Sequence, residues 1–220
     1  MTTYDGKVQP GGDAQTRDVG NARIHKRSVG SMSNNAYLIE SDGQALLIDA
    51  AADWPKLQEM VEASGAQVVA IATTHRHHDH VGALAEAVAH LGAPTYAGAD
   101  DADAIDVPTA TLLHDGDTLT VGDLVVTATH LRGHTPGSIA LSFRDADGTD
   151  HLFSGDSLFP GGVGATNHYD YQSFPQLIAD VEERLFGRFD DSTWVYPGHG
   201  DDTTIGTERT ALPEWHARGW

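Results

Sequence analysis

Thr74-His75-Arg76-His77-His78-Asp79-His80-Val81-Gly82 decides how this chain of 220 residues is read. Four imidazoles and a carboxylate fall within six consecutive positions, directly after a β-rich run at 68–73. Neutral imidazole and carboxylate are the donors that zinc, iron and manganese prefer. In an extended segment His75, His77 and Asp79 point to one side, because side chains alternate with a period of two. Val81, Leu84, Ala85, Val88 and Leu91 then recur at helical spacing, and Gly92 supplies a stop. A strand-to-helix junction therefore brings His80 in from another direction. That geometry suits two adjacent metals better than one. A histidine tract without a site, or Asp79 as a mere helix cap, is outweighed by matching donors further along the chain.

Composition sets the frame. Hydrophobic residues are 40% and charged residues 20% of a chain long enough for one buried core, so a single globular domain is expected. Thirteen Lys and Arg against 32 Asp and Glu leave a net charge of −19. A field of that sign repels phosphate backbones, which argues against nucleic acid as a partner. No cysteine is present, which excludes disulfides, thiolate metal sites and thiol nucleophiles. Residues 1–20 are polar, carry Pro10-Gly11-Gly12 and contain no apolar core of a signal peptide. They read as a flexible arm ahead of one domain at 21–220, in a cytoplasmic protein with no membrane partner.

Strands are expected at 24–29, 35–40 and 45–49. The last of these, Ala45-Leu46-Leu47-Ile48, is continuously apolar, suits a sheet interior and ends in Asp49. Asp53 then reads as an N-cap with Pro55 in the first helical turn, and Gly65 ends that helix. A short strand follows at 95–97. The aspartates of 100–106 lack calcium-loop spacing and read as a solvated loop. Hairpins are expected at 118–129 and 138–154, a helix at 173–186, a strand at 194–196 and a short helix in the tail. Trp215 and Trp220 are expected to cap the fold. Strand pairs interleaved with helices indicate an α/β (α+β) protein, two mixed β-sheets covered by helices.

Three distant loops carry further donors beside glycine or proline: Gly133-His134-Thr135-Pro136-Gly137, Ser154-Gly155-Asp156-Ser157 and Pro197-Gly198-His199-Gly200. Together with His75-x-His77-x-Asp79-His80, in this order, they resemble the metallo-β-lactamase superfamily over roughly residues 24–206. Leu47-Ile48-Asp49 is similar to that family's first motif, whose aspartate supports the metal loops. The resemblance implies an αββα sandwich with the site at one edge. Its details resemble the glyoxalase II-like branch, in short single-domain bacterial form.

That resemblance implies two divalent ions per chain, zinc first with iron or manganese as alternatives. His75, His77 and His134 would hold one ion, and Asp79, His80 and His199 the other, with Asp156 bridging. It further implies a thioester hydrolase acting on a small-molecule acylated thiol such as S-lactoylglutathione. A metal-bridging hydroxide would be the nucleophile, oriented by Asp79. His168, Tyr169 and Tyr171 are candidate substrate contacts, and His78 is expected to be exposed rather than a ligand. The chain departs from the glyoxalase II pattern in two ways. Ala165 stands where a lysine is usual, and only 21 residues follow His199, leaving glutathione's carboxylates without evident partners. The alternatives are a persulfide dioxygenase with one iron on His75, His134 and Asp156, or a lactone or phosphodiester hydrolase. β-Lactam hydrolysis is not expected, and a non-catalytic metal-binding module is disfavoured by the intact donor set.

Overall fold

The computed structural model describes residues 4–219. Residues 1–3 of the expected arm, and Trp220, lie outside the described residues.

Two sheets face each other. The first runs in the order β1 (Gln15–Val19), β2 (Ala22–Val29), β3 (Asn34–Ser41), β4 (Gln44–Ile48), β5 (Gln67–Thr73), β6 (Thr95–Gly98) and β7 (Thr111–Leu113). Its first four strands are antiparallel neighbours, and the pairs from β4 to β7 are parallel. Parallel pairing needs crossovers, which are supplied by α1 (Trp54–Ser64), by α2 (His78–Val81) with α3 (Leu84–Leu91), and by α4 (Ala99–Ala102).

The second sheet is built from β8 (Thr118–Val121), β9 (Leu124–His130), β10 (Ile139–Arg144), β11 (Asp150–Gly155), β14 (Trp194–Pro197) and β15 (Thr203–Thr204). A small hairpin, β12 (Leu158–Phe159) with β13 (Gly162–Val163), leaves it after β11. α5 (Phe174–Asp180), a π-helical turn (Val181–Phe186), α6 (Ile205–Arg209) and α7 (Leu212–Arg218) follow. The two mixed sheets flanked by helices are the expected architecture.

β4 shows why its sequence has no polar face. Leu46 and Ile48 enter the core between the sheets, with Ile24, Leu141 and Phe153. Ala45 and Leu47 pack outward with Trp54, Leu57 and Leu84 of α1 and α3. A third cluster joins Leu152 and Val195 of the second sheet to Leu177, Leu185 and Trp215. Trp215 is buried, as a cap should be. Among the described residues, no helix is long and apolar enough to cross a membrane.

Several expectations need correction. The described part of the arm is not loose: Gln15–Val19 pairs antiparallel with β2 as an edge strand. Its side chains are mostly polar, but an edge strand draws its stability from ladder hydrogen bonds, and Arg17 also stacks over Trp194 at 4.1 Å. Asp53 does precede α1, but in the left-handed region (φ 50°) and without a side-chain cap bond. Its carboxylate accepts from Gly30 N instead. Asp101 is buried, not solvated. The helix expected at 173–186 changes from α to π at Val181.

Lys26 of β2 is fully buried, where an alternating strand would normally point a lysine outward. Its Nζ donates to Gly6 O (2.8 Å), Gly200 O (2.8 Å) and Asp202 Oδ1 (2.6 Å). Asp202 Oδ2 accepts in turn from Tyr4 Oη and Trp194 Nε1. Removing one partner strands the other charge in the interior. Asp202→Ala is therefore expected to cost about 3–5 kcal/mol in denaturant unfolding, and Lys26→Met added to it should recover part of that loss. A double-variant loss equal to the sum of the two single-variant losses would show that the pair is not coupled.

Candidate metal centre

Five loops meet where the two sheets open at one edge. β4 is followed by Asp49, whose φ of 56° turns the chain sharply so that the carboxylate lies under the next loop. Asp49 Oδ1 accepts from Thr74 N (2.7 Å), while Oδ2 accepts from Thr74 Oγ1 (2.7 Å) and His80 Nδ1 (2.8 Å). The histidine segment is not an extended strand through Asp79, as the two-residue period had suggested. His77 is extended, but Asp79 and His80 already belong to the short helix α2. The turn, rather than alternation, aims them at the same space.

Each of the five histidines has one ring nitrogen committed away from that space. His75 Nδ1 lies 3.1 Å from Thr74 Oγ1, whose hydrogen already goes to Asp49, so the imidazole donates. His80 Nδ1 meets Asp49, His134 Nδ1 meets Ala165 O (2.8 Å), and His199 Nδ1 meets Met32 O (3.1 Å). His77 is reversed: Nε2 meets the Tyr171 hydroxyl (2.9 Å), leaving Nδ1 to face His75 Nε2 at 3.1 Å. Such bonds select the tautomer and hold the other nitrogen as a lone-pair donor.

The inward atoms form three mutually close groups, each within 4.8 Å: His75, His77 and His134; His75, His80 and Asp156; Asp79, His80 and His199. Asp156 stands between them. Its Oδ1 is 3.4 Å from His80 Nε2, and its Oδ2 is 3.7 Å from His134 Nε2 and 3.6 Å from His199 Nε2. Asp79 Oδ2 is 3.4 Å from His199 Nε2 and accepts from Asn34 Nδ2 at 2.8 Å. All seven expected donors therefore come together.

Their chemistry fits divalent cations. His80 Nε2, His134 Nε2 and Asp156 Oδ1 are buried without a hydrogen-bond partner. Buried, convergent acceptors left unpaired are costly unless a cation satisfies them. Burial, reinforced by the neighbouring imidazoles, holds His75 well below the ordinary histidine pKa, and burial with His134 brings His77 down to about 4. Burial likewise lowers His134. Burial opposes ionisation of Asp79 and Asp156, but His199 and His80 respectively outweigh it, and both carboxyls lie below the usual range. Burial also opposes the charged form of His80 and His199, but Asp156 with Asp49, and Asp79, outweigh it and raise both, so a cation bound there would displace a proton. Neutral imidazole and ionised carboxylate are the forms that bind metal.

The site shapes the surrounding backbone as well. A Cβ added to Gly198 would lie 2.2 Å from Asp156 Oδ1 and 2.8 Å from His80 Cε1, so the Pro197-Gly198-His199 loop can approach only as glycine. Asp101 ties two donor loops together: Oδ2 accepts from Arg76 N (3.0 Å) and Thr135 Oγ1 (2.6 Å), and Oδ1 from Gly137 N (2.8 Å). Sequence reasoning passed over it among the other aspartates of its loop.

Asp180 anchors the loop before His134. It accepts from Arg132 N, Nε and Nη2 at 2.8–2.9 Å. Burial raises its pKa, but the Arg132 bonds prevail and hold the carboxyl below its ordinary value. A depressed pKa contributes stability that is present above the unfolded carboxylate range and is lost as pH falls through the folded value. Asp180→Asn should therefore cost about 1–3 kcal/mol at neutral pH and flatten the loss of thermal stability below about pH 4. Parallel melting-temperature curves for variant and parent would contradict this.

The candidate substrate residues lie beside the donors. His168 and Tyr169 line a cavity of about 400 Å³ together with Met32, His134 and Asp156. Tyr171 stands behind His77, and His78 is exposed at the rim.

Residues 29–199 match the metallo-beta-lactamase superfamily, and the chain belongs to it. A probable metallo-hydrolase of Bacillus subtilis (strain 168) is 31% identical over 202 residues, covering 84% of this chain and 93% of that protein. A hydroxyacylglutathione hydrolase of Synechocystis sp. (strain ATCC 27184 / PCC 6803 / Kazusa) is 40% identical over 172 residues, covering 77% of this chain and 63% of that protein.

Among solved structures, a B3 metallo-beta-lactamase, BLEG-1, is similar with a TM-score of 0.73 at 27% identity, covering 87% of this chain and 98% of that one. ETHE1 from Myxococcus xanthus gives 0.75 at 27% identity, with coverages of 86% and 83%. TTHA1623, solved in a di-iron-bound form, gives 0.71 at 33% identity, with coverages of 84% and 96%.

Proposed function

We propose that this protein is a dinuclear metallo-hydrolase that cleaves the thioester of a low-molecular-weight acylated thiol. The observation that carries the reading is Asp156, a carboxylate whose two oxygens face donors on both sides. His75, His77 and His134 would hold one cation, and Asp79, His80 and His199 the other, with Asp156 shared. When bound, the cations supply Lewis acidity, polarising a carbonyl and acidifying water near neutral pH.

The chain's own residues do the rest. Asn34 fixes Asp79 at the cavity wall, where its carboxylate orients the attacking water. Water adds to the thioester carbonyl, the C–S bond breaks, and the water proton ends on the departing sulfur, giving acid and thiol. A thiolate leaves with little protonation, which suits a site whose five convergent histidines would all be engaged as ligands. Likeness to a hydroxyacylglutathione hydrolase supports the thioester, and the di-iron neighbour makes iron a practical alternative to zinc. The reaction belongs in the cytoplasm, where small thiols stay reduced.

Metal content should be measured on purified protein, with hydrolysis of S-lactoylglutathione and of S-acetyl-N-acetylcysteamine assayed on the same sample. About two metals per chain with thioester turnover is expected. One iron per chain with oxygen uptake on a persulfide, or faster turnover of a β-lactam than of either thioester, would overturn the reading.

A further inference from the structure

The cavity mouth carries an aromatic wall. The Tyr169 and Tyr171 rings stack almost parallel, 5.1 Å apart at 7°, and Tyr169 lies 5.2 Å from the His77 ring. The Arg76 guanidinium sits 4.1 Å from the Tyr171 ring, and its backbone N–H and Nε both point to buried Asp101. Five large apolar side chains are exposed among the described residues, and three of them, Met32, Tyr169 and Tyr171, gather here. Grouped exposure of that kind marks a binding surface.

The loop does not need Tyr169 to hold its shape. Gln172 Oε1 accepts from His168 N (2.8 Å) and Tyr169 N (3.2 Å), while its Nε2 donates to His134 O (3.0 Å). Gln172 N returns to Tyr169 O and Ser173 N to Gly133 O. The turn is thus fixed by main-chain and amide bonds, and Tyr169 is left 49% exposed beside the donor cluster. A rigid, half-exposed ring binds without a large ordering cost.

Charge selects in the same direction. Apart from Asp79 and Asp156, which the two cations would neutralise, the cavity lining carries no charged carboxylate, lysine or arginine. The nearby cation, Arg76, is engaged by the Tyr171 ring and by Asp101. A substrate tail carrying several carboxylates finds no basic side chain in this lining to pair with, whereas a flat apolar group gains the Tyr169 face and Met32.

Resting on the thioester reading, we propose that the substrate class is an uncharged thioester with an aromatic or bulky aliphatic group, and that Tyr169 and Met32 select it over anionic peptide thiols. The test holds the acyl group constant. Metal-replete protein is assayed on phenylacetyl thioesters of N-acetylcysteamine and of glutathione, and on acetyl-N-acetylcysteamine. The neutral phenylacetyl substrate should show a kcat/KM about tenfold above its glutathione counterpart. Tyr169→Ala should cost about tenfold more on phenylacetyl than on acetyl, and Tyr169→Phe should keep the preference.

Calorimetric binding of the unreactive thioethers S-benzyl-N-acetylcysteamine and S-benzylglutathione gives the same comparison without chemistry. Tighter binding of the neutral thioether, weakened by Tyr169→Ala, is expected. Thioester turnover without this preference, or stronger binding of the glutathione thioether, overturns the substrate class alone. Absence of turnover on every thioester, with neutral binding preferred, overturns the hydrolase reading and leaves the subsite standing.

Discussion

Asp156→Ala is expected to lower kcat/KM for thioester hydrolysis by about a thousandfold or more, and to take bound metal from about two per chain to one or fewer. The reason lies in its position. Among the described residues no other carboxylate faces donors of both halves: Oδ1 is near His80, and Oδ2 is near His134 and His199. Alanine leaves three imidazole nitrogens without their shared carboxylate, and Asp79 alone to offset two cations. Asp156→Asn is the sharper probe. It keeps the shape and one acceptor but loses the charge, so metal content should fall with less disturbance of the fold. Elemental analysis beside circular dichroism separates the effects. A folded Asp156→Ala protein that retains both metals and full turnover would remove the dinuclear reading.

Asp49→Asn should produce the second-largest effect although Asp49 is no proposed ligand. The buried carboxylate accepts three bonds, and one of them holds the His80 tautomer. Asparagine tolerates the left-handed φ of 56° as aspartate does, so backbone strain is not introduced. What changes is the hydrogen-bond count: an amide nitrogen now faces a group that was donating. Metal affinity is expected to fall about 10–100-fold, and the unfolding free energy by about 1–3 kcal/mol. Chelator competition measures the first and denaturant titration the second. Unchanged chelator competition with reduced stability would make Asp49 purely a fold residue.

Much of this was legible in the primary structure. The seven donors could be read because four of them crowd into residues 75–80 and the rest sit in glycine-bearing loops after strands. β4 could be read because continuous apolarity has few uses other than a strand buried on both faces. Asp101 was obscured because its donors come from residues 76, 135 and 137, and neighbouring aspartates disguised it as solvated. Lys26 escaped notice because its counter-charge is 176 residues away. β1 was lost for a third reason. Its alternation is polar on both faces, so only pairing with β2 reveals the strand. Asp101 and Lys26 are long-range satisfactions of polar groups and β1 is a local but polar hairpin strand, and hydrophobic periodicity encodes neither.

The outward tethers of the histidines also set a timetable. His75 is held by its immediate neighbour and His80 from 31 residues away, but His77 waits for Tyr171, 94 residues later, and Met32 waits for His199, 167 residues later. On a chain emerging from the ribosome, the first donors appear long before Tyr171, which orients His77, and before His199, the last donor. The complete centre can close only after the C-terminal sheet has docked against the β2–β3 turn, so cofactor acquisition reports that synthesis and folding have finished.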